Sequence, residues 1–200
     1  MGREQYLKSY KKKGIVFLAL GILVELIGVL MLLVAVTKMM ETTAIVMFAL
    51  IVIGGAGMTY FGFEFVRGEK CRFIKSENLE LADDLLATKR YEDKFVIISE
   101  KAIALKKDIT KIAAIADVLG IYEQIDKQNG ITVSHVIKLE LRNGKSLDVN
   151  VYARKKDTKE DIMLTISHFC PNAMVGHTSE MLTYVQEQRK AYKMGDTINV

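Results

Sequence analysis

Gly14–Val36, GIVFLALGILVELIGVLMLLVAV, has Glu25 as its one charged residue; six residues later Thr43–Val66, TAIVMFALIVIGGAGMTYFGFEFV, has only Glu64. A helix rises about 1.5 Å per residue, so about 20 apolar residues cross a hydrocarbon layer about 30 Å thick. Each stretch is predicted to span a membrane as a helix, and together they form a hairpin over residues 14–66. The first run exceeds a typical signal-peptide core, and its exit, LLVAVTKMMETT, is a weak cleavage site. A retained anchor is therefore expected, and the segment from Arg67 to Val200 is read as water-soluble chain.

Charge orients the hairpin. Residues 1–13 hold Arg3, Lys8, Lys11, Lys12 and Lys13 against Glu4, a net +4 that equals the formal charge of the whole chain. Arg67, Lys70, Arg72 and Lys75 follow the second span, whereas the intervening turn holds only Lys38 and Glu41. Positive charge on both outer flanks predicts two passes through the cell membrane with both termini cytoplasmic. Lys11, Lys12 and Lys13 then become candidate contacts for anionic lipid. From Arg67 onward 22 basic residues balance 20 acidic ones, which excludes the single-sign excess of a nucleic-acid-binding surface.

Gly14, Gly21, Gly28 and Ala35 recur every seven residues on one face of the first span, and Glu25 shares that face. An ionised carboxylate at mid-membrane costs a few kcal/mol, so Glu25 is expected to be protonated or hydrogen-bonded. Gly54, Gly55 and Gly57 of the second span lie at a similar depth and permit close helix approach. The membrane packing set is thus Gly21, Glu25, Gly28, Gly54, Gly55 and Gly57. Two helices offer no chain of ionisable groups, which favours packing over ion conduction. The GGAG of residues 54–57 is no phosphate loop, because it lies inside an apolar run and lacks the accompanying lysine.

Beyond a basic flank, SENLELADDLLATK (76–89) has helical periodicity and is read as a connecting helix within residues 67–90. KFVIIS and AIAL then read as two short strands joined by a tight turn, and KIAAIADVLGIYEQI contains another strand. In TVSHVIKLELRNGKSLDVNVYA, alternation on both sides of Asn143-Gly144 predicts a hairpin. Asp157 with Glu160, or Thr158 with Asp161, starts a capping helix that runs through Ile162, Ile166 and Phe169 to Pro171. Residues 171–200 form a tail with a second, surface helix.

The succession YEDKFVIISEKAIAL, DVLGIYEQ, VIKLELRNGKSLDVNV and a capped helix resembles bacterial pleckstrin-homology-like domains over residues 91–170. In related small membrane proteins such a domain follows a two-helix hairpin. The resemblance implies an α+β membrane protein whose hairpin precedes a curved antiparallel sheet or partly open barrel capped by a helix, used to bind lipids or proteins. The chain departs from the family in having no tryptophan in the capping helix. It also lacks the lysine and arginine cluster that inositol-phosphate-binding members carry in the first hairpin, so lipid contact is expected to be weak. Lys106, Lys107 and Lys111 in one loop, and Arg154, Lys155 and Lys156 before the capping helix, are the candidate anionic-lipid contacts.

The sequence offers no catalytic constellation. GxSxG, HExxH, the Walker lysine loop and paired CxxC are all missing from the soluble part. His168, Cys170 and His177 could gather three zinc-compatible atoms, but the i, i+2 pair points in different directions along a helix, and no metal or other cofactor is expected. Cys71 and Cys170 suggest no disulfide framework. Cys71 follows the second span closely enough for palmitoylation, although an ordinary thiol is the favoured reading, because a juxtamembrane cysteine needs no modification to be tolerated. The expected function is a non-enzymatic, membrane-anchored binding or scaffold protein that meets membrane lipids and a protein partner or a second copy of itself. The competing expectation is an accessory subunit of a transporter or channel, docking through the Glu25 and glycine face.

Overall fold

The computed structural model describes residues 2–38, 41–152 and 156–195, without the side chains of 156–158. Two compact units emerge, Arg3–Leu79 and the chain from Glu80 onward.

In the first unit, helix α1 (Gly2–Thr37) turns back into α2 (Thr42–Val66). Both helices are long and apolar enough to cross a membrane. Only 11% and 6% of their most apolar windows are buried, whereas a core helix of a water-soluble protein would be mostly covered. Leu23, Leu26, Leu30 and Leu33 of α1 and Val46, Leu50 and Ile53 of α2 are all exposed. Such a surface is stable in lipid, and internal helical hydrogen bonding meets the requirement that no backbone polar group go unpaired there. The basic segment 2–13 is the first part of α1 rather than a separate tail. At about 1.5 Å per residue α1 is about 54 Å long, which leaves its first turns beyond any hydrocarbon layer. At the other end Thr37 Oγ1 donates to Leu33 O at 2.9 Å, satisfying one of the last carbonyls.

The second unit is mixed α and β. After α3 (Ser76–Ala87) come β1 (Tyr91–Glu92), β2 (Val96–Ile98), β3 (Ala102–Leu105) and β4 (Asp108–Ala114), an antiparallel sheet in sequence order. A second sheet follows from β5 (Val118–Gln128), β6 (Ile131–Leu141), β7 (Ser146–Asn150) and β8 (Met174–Val175), in the order β7-β6-β5-β8 with β8 parallel to β5. The helices are α4 (Lys156–Phe169), between β7 and β8, and α5 (Ser179–Met194). The two sheets do not close into a barrel.

Three helices cover the sheets. Ile98, Ile103, Ile137, Leu139 and Val149 form one core with Ile162, Ile166 and Cys170 of and just beyond α4. The opposite face of the first sheet, through Ile97, Ala102, Ala104 and Ile109, packs on Leu85 of α3. This two-sided burial explains why VII and AIAL are continuous apolar runs rather than alternating ones. The far face of β5 receives α5: Met181 and Val185 pack on Leu119 and Tyr122. Gly120 lies under α5, where a Cβ would stand 2.8 Å from Met181 Sδ and push the methionine side chain aside.

The Asn143-Gly144 hairpin forms, with Leu139 paired to Leu147. Leu141 N donates to Lys145 O at 2.9 Å and Gly144, at φ 86°, occupies the left-handed position, so the loop has three residues rather than two. A two-residue turn instead joins β5 to β6 at Asn129-Gly130, where φ is 52° and 79°. Glycine and asparagine tolerate this geometry best.

Candidate functional site

Within the hairpin the helices meet along a seam of small residues. A Cβ on Gly21 would stand 2.5 Å from Thr59 Oγ1, one on Gly55 2.8 Å from Glu25 N, and one on Gly28 2.9 Å from Val52 Cγ2. Gly14 and Gly62 complete the seam, since a Cβ on Gly62 would lie 2.8 Å from Gly14 O. Gly54 and Gly57 have open space where a Cβ would go, which removes them from the packing set expected above. The reason is angular: at about 100° per residue Gly54 and Gly57 share a face, whereas Gly55 lies about 100° from one and about 160° from the other, so when Gly55 meets α1 the other two turn away. Gly62 lies seven residues after Gly55, the same interval as on α1, and that interval was the signal for it.

Thr59 Oγ1 donates to Glu25 Oε2 at 3.2 Å, so the mid-span carboxyl is hydrogen-bonded within the seam. Glu64, at the other end of α2, is buried; its Oε1 is 2.6 Å from Arg67 Nη1 and its Oε2 accepts from Arg72 N at 3.3 Å.

The candidate lipid contacts fall on both units. Lys11 and Lys12 are exposed on α1 and Lys13 is half-buried. Lys106 and Lys107 form the β3–β4 turn, with Lys111 exposed on β4, and Lys106 is paired with Glu92. Arg154 and Lys155 lie outside the described residues, as does the side chain of Lys156.

His168, Cys170 and His177 do not come together. His168 meets Phe169 edge-on at 5.4 Å, and His177 stacks on Tyr122 at 4.6 Å. Cys170 is buried, and burial pushes its thiol up to about 12, which suppresses the reactive thiolate. Cys71 is also a buried free thiol. Among the described residues no three histidine, cysteine or acidic side chains are grouped to hold a metal.

Among the described residues of the second unit, two polar clusters and a groove stand out. On the α5 side, Tyr122 Oη donates to Glu140 Oε1 at 2.8 Å, and Arg189 binds Glu140 Oε2 at 2.6 Å and Leu141 O at 3.0 Å. Burial, reinforced by the bond to Glu140, pushes the Tyr122 hydroxyl up to about 12. These bonds fasten α5 to its own sheet, so the helix is not a free arm. Under α4, His135 lies between Glu123 and Lys159, with Lys159 Nζ 2.8 Å from its Nδ1. The small cavity beside it, about 50 Å³, has room for water but not for an organic ligand.

The groove is larger, about 410 Å³, and is lined by Leu81, Lys101, Ala114, Ile115, Ala116 and Pro171 together with Glu100 and Asn172. Its volume falls within the usual range for ligand-binding clefts, about 300–1,000 Å³. Asp84 fixes one wall. Its Oδ2 accepts from Ser99 Oγ at 2.6 Å and Lys101 N at 3.0 Å, and its Oδ1 from Thr88 Oγ1 at 3.0 Å. Burial alone would raise its pKa, but these hydrogen bonds and the Lys101 charge more than offset that and hold the carboxyl below its ordinary value. A depressed folded value stabilises the fold above the unfolded value, about pH 4, and the contribution is lost as pH falls through the folded one. Amide protection factors in α3 and the β2–β3 turn, taken relative to the intrinsic exchange rate at each pH, should therefore fall below about pH 4, and Asp84→Asn should abolish that fall. Equal acid sensitivity in the variant would place its origin elsewhere.

Comparison with protein families, with curated proteins and with solved structures returns no match to this chain.

Proposed function

We propose that this chain is a non-enzymatic, membrane-anchored binding or scaffold protein. The α1–α2 hairpin crosses the cell membrane twice with both termini cytoplasmic, and the mixed α/β unit, read as a pleckstrin-homology-like domain, recognises a protein partner at the cytoplasmic face. The observation that carries this is the pairing of lipid-demanding helices with a unit bearing an open groove of about 410 Å³. An apolar floor with a few convergent polar groups suits a partner's side chains better than a charged headgroup. Anionic lipid plays a minor part, because Lys106, one of the candidate contacts, is already paired with Glu92. The Glu25 face is covered by α2, so docking of a transporter through it would require the hairpin to open.

The test is a photoreactive residue at Ala116, in the groove, of the full chain in its membrane. A defined partner should be captured there, and Ala116→Arg should reduce its recovery about tenfold or more, the loss expected for a charge forced into an apolar contact. Unchanged recovery with Ala116→Arg would exclude the groove as the recognition surface.

A further inference from the structure

The two longest strands outrun their neighbours. β8 covers β5 only at Gly120 and Ile121, and β7 covers β6 only from Val136 to Glu140. Past His135, whose carbonyl still accepts from Val151 N at 2.9 Å, Ile125–Gln128 and Ile131–Ser134 pair, among the described residues, only with each other and form a two-stranded ribbon ending in Asn129-Gly130. On that ribbon Ile125, Ile131 and Val133 are 46%, 68% and 53% exposed. From Ile125 to Val133 the only charges are Asp126 and Lys127, whereas exposed strand edges are ordinarily protected by charge.

We propose that this ribbon tip is a lipid-contacting element that seats Ile125, Ile131 and Val133 in the headgroup and upper acyl region of a bilayer. The proposal rests on the membrane-spanning reading of α1 and α2. Nine residues, 67–75, separate α2 from α3, a reach of about 30 Å when extended, so a bilayer is the apolar surface always available to the domain at high effective concentration. Net-neutral charge with branched aliphatics fits insertion by apolar contact, and Lys127 can extend its ammonium to phosphates. The outer edges of the ribbon still need polar partners, which restricts the seat to the interface rather than the hydrocarbon centre. A second copy is a poorer occupant, since the register shift at Asp126/Lys127 twists the strand edges away from flat pairing.

The experiment uses the full chain in phosphatidylcholine bilayers, with a nitroxide on Ile131→Cys, Val133→Cys, Leu30→Cys in α1, or exposed Lys145→Cys. Both native cysteines are buried, which directs labelling to the new site. The ratio of collisions with oxygen to those with a water-soluble nickel chelate should be about threefold or more higher at 131 and 133 than at 145, as insertion of a few ångströms requires. Ratios at 131 and 133 equal to that at 145, with residue 30 in lipid, overturn the ribbon inference and leave the membrane-anchor reading intact. An aqueous residue 30 overturns both. Spin–spin broadening between copies at 133 identifies a second copy as the occupant and likewise overturns the lipid contact.

Discussion

Replacing Gly62 with valine is expected to break the α1–α2 seam, whereas Gly54→Val and Gly57→Val should leave it intact. The backbones of Gly14 and Gly62 approach so closely that a Cβ on Gly62 would lie 2.8 Å from Gly14 O, and neither helix has a flexible side-chain end at that point that could yield. The helices must separate there. That loosens the contacts at Gly21 with Thr59 and Gly55 with Glu25 along the same seam. Overpacking of a close interface costs about 1–3 kcal/mol, and the Thr59–Glu25 hydrogen bond is placed at risk as well. Denaturation of the reconstituted protein by increasing mole fractions of SDS measures this directly. If Gly62→Val matches the parent while Gly54→Val is destabilised, the seam has been assigned to the wrong face of α2.

Ile166→Ala should cost more than any other single truncation of α4, about 2–5 kcal/mol, because it leaves a cavity under the helix. Ile166 is fully buried in the core that joins α4 to both sheets. Leu164, two residues earlier, is 63% exposed, and Leu164→Ala should change stability by no more than about 0.5 kcal/mol. Urea unfolding of the two variants, followed by tyrosine fluorescence, compares them. Equal midpoints would mean that α4 does not cap the core as described.

Much of this architecture was legible in the residues. The apolar stretches announce themselves by length and by the near-absence of charge. The capping helix is marked by Ile162, Ile166 and Phe169, and the β6–β7 hairpin by Leu139 and Leu147 flanking Asn143-Gly144. The hairpin beside it was less visible. Asn129-Gly130 supplies the tighter turn, but DKQ before it and ITVS after it do not alternate cleanly. β1 and β8, two residues each, are too short to leave a periodic signal. α3 and α5 read as helices, yet their roles depend on distant partners: Leu85 packs on Ile97 and Ala104, and Met181 on Leu119 and Tyr122.

The seam shows the same division. Gly21 and Gly28, which share the sevenfold spacing, approach α2 closely, and Gly55 meets Glu25. Grouping Gly54, Gly55 and Gly57 by proximity ignored the rotation between neighbours, whereas carrying the spacing from Gly55 to Gly62 would have recovered the second face. The groove had no sequence signal, because α3, the β2–β3 turn, residues 114–116 and Pro171 with Asn172 contribute one to three residues each.

The claim on which the rest depends is a two-pass anchor with both ends on one side of the membrane. Single cysteines at Lys12 on α1, Lys38 at the turn and Lys190 on α5, exposed in intact cells to a membrane-impermeant maleimide, test it. Lys38→Cys should be labelled from outside, and Lys12→Cys and Lys190→Cys only after permeabilisation. Labelling of position 12 or 190 in intact cells, or protection of position 38 together with release of the protein by alkaline carbonate, would contradict it.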